Sequence, residues 1–233
     1  MRKIIAVCFL LFVYCTANAL TLKDIRSQIR RHMGDLNSTS AQEIWQDTEL
    51  DFLINQGQRV TCDRTWCIIK STTISLATDT TYYNLPSDFY VSKRVEYGTS
   101  LLNETVIEKL DRDSDSWLST STGTPANYYI NSERTQVGMY PVPDSTAATT
   151  IIMWYLPVPA DLTSDSDIPF NGIYKLYSYH HLLVYYSLAH IMFAEGNPNA
   201  ATWFNLYNLG VARMEDNIKV KLDYSPDFLF ERE

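Results

Sequence analysis

The chain has 233 residues, 45% hydrophobic and 20% charged, enough apolar material for one good core or two small ones sharing an interface, which excludes a disordered polyelectrolyte. A net charge of −8 and a pI near 5.0 exclude nucleic-acid binding driven by phosphate neutralisation, although an acidic wall suits a passage through which DNA slides without sticking. Sixteen tyrosines, each with an apolar body and a polar tip, fit a Tyr-rich β-sheet and a protein interface alike.

The chain opens on a basic pair, Arg2-Lys3, an apolar run from Ile4 to Tyr14, and a small-x-small triplet, Ala17-Asn18-Ala19. This is the form of a secretory leader, with a mature chain starting at Leu20, or of a retained apolar extension. The run is too short to span a bilayer, and no other apolar run is long enough. Tyr14 is too bulky to precede a lipidated Cys15.

Thr21-Leu22-Lys23-Asp24 opens a first helix as a capping box, Leu22, Ile25, Ile29 and Met33 form its stripe, and Gly34 stops it. A second helix runs from Asp47 or Thr48 to Asp63–Trp66, with Leu50, Leu53, Ile54, Gly57, Val60 and Arg64 along one side. Gly57 in its middle costs about 1 kcal/mol relative to Ala, which points to a close helix–helix contact there.

From Ile68 the period changes to two. Strands are expected around Ile74–Leu76, Thr80–Leu85, Tyr90–Tyr97 and Thr149–Tyr155, with a hairpin pairing Tyr128–Ile130 and Gln136–Tyr140 across Asn131 to Thr135. Ile107 to Trp117 reads as a short helix or a loop. Pro157 and Pro159 end the β region. Tyr174 to Phe193 is an uninterrupted helical pattern carrying Leu176, Leu183, Tyr186 or Leu188, and Ile191. Gly196-Asn197-Pro198 breaks it, and a last helix from Asn199 to about Lys221, with Trp203, Leu206, Leu209 and Met214, should fold back as a helical hairpin. The expected fold is therefore α+β: a bundle of N- and C-terminal helices with an inserted antiparallel β domain. Its divisions are 1–19 leader, 20–67 N-terminal helices, 68–170 β insert, 171–222 C-terminal hairpin and 223–233 tail.

Chemistry-bearing patterns are weak. Asp111, Asp113 and Asp115 imitate a calcium loop, but Ser116 stands where glycine is needed and Thr122 where a bidentate Glu is needed. His180, His181 and His190 do not share a ligand spacing on one helical face. Cys62 and Cys67, five apart, point to different faces of a continuous helix, so a local disulfide requires the helix to end between them. No nucleophile elbow or phosphate-binding glycine loop is present, so the chain is expected to be no enzyme and to use no metal or cofactor.

Six phrases then occur in one order: Leu22-Lys23-Asp24-Ile25-Arg26 with Glu49 to Gln58; Tyr83-Asn84-Leu85-Pro86-Ser87-Asp88-Phe89; Gly123-Thr124-Pro125 with Tyr128-Tyr129-Ile130; Tyr140-Pro141-Val142-Pro143; Trp154 to Leu162 with Ile168-Pro169; and the helix with Leu183, Tyr185-Tyr186 and Leu188-Ala189. From about Leu22 to Asn217 this wording resembles the bacteriophage head-to-tail adaptors, also called connector, head-completion or neck proteins. The resemblance implies a structural virion protein at the neck, assembled with itself into a ring, usually of twelve copies. The ring would dock under the portal protein, pass DNA without sequence-specific binding, and carry tail or nozzle proteins, with no membrane in the mature particle. It implies that the C-terminal segment reaches the portal through Tyr224, Pro226, Phe228, Leu229 and Phe230. It also implies that Trp117, Tyr128, Tyr129, Tyr140 and Trp154 face the tail or neighbouring subunits. The alternative, resting on the leader and on aromatic residues such as Trp117, Trp154 and Tyr128, is a secreted or periplasmic β module that binds glycans or cell surfaces.

Overall fold

The computed structural model describes residues 19–34, 44–113, 117, 122–144 and 150–224, with side chains to 218. Most of the leader, Asp115, and the tail residues Pro226, Phe228, Leu229 and Phe230 lie outside the described residues.

Helix α1 (Leu22–Met33) forms because both ends are satisfied locally. Thr21 accepts from the Asp24 N–H and the Asp24 carboxylate accepts from the Thr21 N–H, completing the capping box. Gly34 takes the left-handed conformation, φ 78°, that a C-cap requires. Helix α2 (Asp47–Thr65) follows. Its buried face differs from the expected side, which carried Leu53, Val60 and Arg64: Gln58, Thr61 and Thr65 share it with Leu50, Ile54, Gly57 and Cys62. The two threonines satisfy their hydroxyls on carbonyls one turn earlier, Gly57 and Thr61, so they can be buried without an orphaned donor.

The β insert begins at β1 (Lys70–Ser75). Next come β2 (Tyr82–Asn84), β3 (Phe89–Tyr97), β4 (Ser100–Leu101), β5 (Asn103–Glu104), the short helix α3 (Ile107–Asp113), β6 (Thr122–Gly123), β7 (Asn127–Ile130), β8 (Gln136–Tyr140), β9 (Val142–Pro143) and β10 (Thr150–Pro157). One sheet has the order β1-β10-β3-β4 and a second β2-β8-β7-β5. The long ladders are antiparallel as expected, but the short pairs β5–β7 and β6–β9 are parallel, so the insert is mixed. Val95, Tyr97, Ile151, Met153 and Tyr155 from the first sheet form one core with Tyr83, Tyr128, Val137 and Met139 from the second, which places the sheets face to face. Alternation then sends Tyr129 to the opposite face of the second sheet from Tyr128, where Leu110 of α3 and Trp117 cover it.

The expected single helix from Tyr174 is divided. Tyr174–Tyr179 is 3₁₀, and α4 (His181–Ala194) starts only after His180. Helix α5 (Ala200–Tyr224) then packs back along α4, while α1 and α2 pack on the other flanks of α4. Helix α4 therefore carries buried residues all round, among them Leu182, Leu183, Tyr186, Leu188 and Ile191. The apolar stripe of α5 is rotated from expectation: Tyr207, Val211 and Met214 are buried, whereas Leu206 and Leu209 face outward.

Two glycines are fixed by contact. A Cβ at Gly57 would stand 2.8 Å from Cδ1 of Tyr186, so the approach of α2 to α4 depends on its absence. Gly138 lies opposite Tyr129 in the β7–β8 ladder, and a Cβ there would overlap the Tyr129 ring. Gly57→Ala and Gly138→Ala are each expected to lower stability by about 1–3 kcal/mol in urea unfolding, as overpacked cores do. An open helix position would instead gain about 1 kcal/mol from Gly→Ala. A raised midpoint for Gly57→Ala would therefore contradict the close α2–α4 contact.

Candidate assembly surfaces and the junction behind them

The insert leaves the bundle at the end of α2 and returns to the same helix. Gln58, fully buried, donates from Nε2 to the Ala160 carbonyl at 2.9 Å and accepts the Phe170 N–H on Oε1 at 2.7 Å. One turn earlier, Asn55 makes a reciprocal pair with the backbone of Leu162, at 3.0 Å and 2.8 Å. Arg59 pairs with Asp161 at the exposed edge. The returning segment also reaches α1: the carbonyls of Asp165 and Asp167 accept the otherwise unsatisfied N–H groups of Lys23 and Leu22. Arg26 grips Asp51 bidentately at 2.6 Å and 2.7 Å and reaches Asp165 at 2.8 Å, and this pairing raises its already high pKa. Arg30, also buried, bonds the Trp45 carbonyl and Asp47.

On the β side of the junction, Asp88 accepts from Lys70 and from the Tyr155 hydroxyl, while its carbonyl accepts the Val158 N–H. The Lys93 ammonium lies 3.1 Å from the centre of the Trp66 ring, a cation–π contact across the bend. The Asp88 carboxyl stays below the usual carboxylate range: burial opposes this, and the Lys70 and Tyr155 bonds outweigh it.

With the junction satisfied in this way, large apolar side chains still stand outward. At one end of the bundle the Trp45 indole donates to Glu195, drawing the start of α2 to the end of α4. Around that bond Phe52 is 66% exposed and Phe193 80%, and Ile44 is exposed too. Trp45, Thr48, Glu49, Phe52 and Leu53 line an open recess of about 380 Å³. Leu206 and Leu209 share the outer side of α5, and Phe204 is exposed on a different flank of the same helix. Scattered exposed apolar residues are ordinary, but contiguous ones mark contact surfaces.

The aromatic residues singled out by sequence are placed differently. Trp117, Tyr128 and Tyr129 are buried in the chain's own cores. Trp117 stacks edge-on to Tyr129 at 5.3 Å and to Tyr140 at 6.0 Å, and its indole donates to Asp111 at 2.6 Å. Tyr128 points its hydroxyl at Ser92 and Glu104. Tyr140 is half-buried, and Trp154 is half-buried on the outer face of β10 with Arg94 beside it. Tyr224 is the last residue of α5; the remaining tail residues lie outside the described residues. Leu206 and Leu209 were not separable from the core by sequence, because both stand in the expected stripe of the last helix, whereas Phe52 and Phe193 lie off the stripes expected of theirs.

His180 is fully buried. Its Nδ1 accepts the Leu20 N–H at 3.1 Å, and its Nε2 has no partner among the described residues. Burial pushes its pKa down to about 4, and burial lowers His181 as well. Among the described residues no three His, Cys, Asp or Glu side chains gather as a metal site, and no helix is long and apolar enough to cross a membrane.

An α+β chain that spends its polar groups on an internal junction and turns apolar side chains outward has the make-up of a structural assembly protein. The chain matches the SU10 adaptor protein family over residues 20–226 and belongs to that family, one of phage head-to-tail adaptors. No curated protein matches it.

Gln58→Met keeps the volume but strands the buried Phe170 N–H, while the carbonyl of the exposed Ala160 exchanges its partner for water. Urea unfolding is expected to show a loss of about 1–3 kcal/mol, the cost of that one stranded group. The His180 environment predicts acid sensitivity. The unfolded imidazole takes up a proton as pH falls through 6.5, whereas the folded one resists until about 4. Stability is therefore full above about pH 6.5 and declines as pH falls towards 4. Melting temperature should fall across that window in the wild type and fall less steeply in His180→Asn; parallel slopes would contradict the assignment.

Proposed function

We propose that this adaptor assembles with itself into a ring, of twelve copies, that docks under the portal, continues the DNA channel and gives the tail its platform. The observation that carries this reading is the family match over nearly the whole chain, 20–226, in a fold whose bundle exposes apolar residues on two sides. A ring needs two surfaces per subunit, one for each neighbour. The Ile44–Phe52–Phe193 end and the Leu206–Leu209 face supply candidates on α2, α4 and α5. Of the aromatic residues named above for subunit or tail contacts, Trp117, Tyr128 and Tyr129 are buried in the chain's own cores, and Tyr140 and Trp154, partly accessible, are kept as candidates. The segment 223–233, with Tyr224, Pro226, Phe228, Leu229 and Phe230, is assigned to the portal. An excess of acidic residues favours an unbound DNA passage. The role is architectural, with no catalysis and no cofactor.

Light scattering after size-exclusion chromatography, with and without the portal ring of the same phage, tests the reading. A multi-subunit species, formed alone or on the portal, is expected. Phe52→Asp with Phe193→Asp should weaken its formation at least about tenfold, because each buried aromatic contributes roughly 1.5–3 kcal/mol, while leaving the unfolding free energy of the subunit within about 1 kcal/mol, about 0.5 for each surface substitution. A chain that stays monomeric and ignores the portal would refute it.

A further inference from the structure

Cys62 lies in the last turn of α2 and Cys67 just beyond its end. The helix stops between them at Trp66, whose φ of 52° bends the chain back. The five-residue offset that separates two side chains on a continuous helix therefore does not apply here. The sulfurs meet at 3.6 Å, with the residues only 4% and 7% exposed. Both are free thiols. A disulfide bond is about 2.05 Å long, so the sulfurs need to close by about 1.5 Å, within reach of side-chain rotation.

We propose that Cys62 and Cys67 are a redox-active pair that closes to a disulfide in the presence of hydrogen peroxide, stapling the end of α2 to the segment that opens β1. The contact of the two thiols favours a single thiolate. Its hydrogen bond to Cys62 lowers Cys67, whereas the bond to Cys67 and then burial raise Cys62. In the first step the Cys67 thiolate attacks one peroxide oxygen, the O–O bond breaks, and hydroxide leaves as Cys67 becomes a sulfenic acid. In the second, the Cys62 sulfur attacks the Cys67 sulfur, the S–O bond breaks, and the hydroxyl departs as water with the Cys62 proton. Two thiols lose two electrons, and the hydroxide takes up the Cys67 proton, so peroxide ends as two waters. The staple would reinforce a junction already crossed by the Lys93–Trp66 contact and the Lys70–Asp88 pair.

The test uses the full folded chain, treated with hydrogen peroxide, then alkylated in denaturant and digested with trypsin. Trypsin cuts after Arg59, Arg64 and Lys70, so Cys62 and Cys67 fall on separate peptides, Val60–Arg64 and Thr65–Lys70. The expected product is these two peptides joined, lighter than their sum by two hydrogens, released by dithiothreitol and absent from Cys62→Ser. Amide exchange across residues 62–68 should slow after oxidation. Alkylation of both cysteines, a sulfinic acid at Cys67 without a cross-link, or pairing to Cys8 or Cys15 instead would overturn the proposal. The readout is independent of ring assembly.

Discussion

The fold depends on the buried amide of Gln58. A chain that leaves a helix, builds ten strands and comes back must fix its return, and Gln58 does this by holding the backbone at Ala160 and Phe170 together. Asn55 and Asp51 lie on the same side of α2, one and two turns earlier, so Leu162 and Arg26 are drawn into the same seam. Closing a loop of this length costs only slowly more as the loop grows. A few well-satisfied hydrogen bonds in a partly buried seam are therefore enough to set where the insert begins and ends. Leaving them half-made would be costly, which is what makes the return unique.

From that seam the rest follows by covering faces. The first sheet, held at its base by Asp88, presents its inner face to the second sheet. The second sheet, covered on both sides, can bury Tyr128 one way and Tyr129 the other. Helix α4, surrounded by α1, α2 and α5, is apolar all round for the same reason. The apolar residues left over, Phe52 and Phe193 above all, are outside because no other described element packs on α2 and α4 there.

Features decided within a few residues were legible in the sequence. The Thr21–Asp24 capping box, the Gly34 stop, the extent of α2, the Gly57 contact and the β7–β8 hairpin all rest on local pattern, and the structure has each of them. The order of phrases also identified the family, over nearly the residues that match it. Features decided by distant partners were not legible. Gln58 reads as a surface glutamine until Ala160 and Phe170 are beside it. The helix expected from Tyr174 is interrupted by no proline or glycine; its first turn is 3₁₀ where His180 is held by Leu20, from the other end of the chain. Trp117, Tyr128 and Tyr129 look like interface aromatics because alternation shows which residues share a face, not whether that face is covered. Leu206 and Leu209 show the converse error, apolar positions in a helix whose buried stripe is rotated around Tyr207 and Val211.

The measurement that bears most directly on this account is electron cryo-microscopy of the native particle at a resolution that traces side chains in the neck. The account predicts a closed ring of this chain between portal and tail. Phe52, Phe193, Leu206 and Leu209 should be buried against other subunits, with Gln58 still joined to Ala160 and Phe170 inside each one. A neck without this chain, or a ring in which those four residues all face solvent, would contradict it.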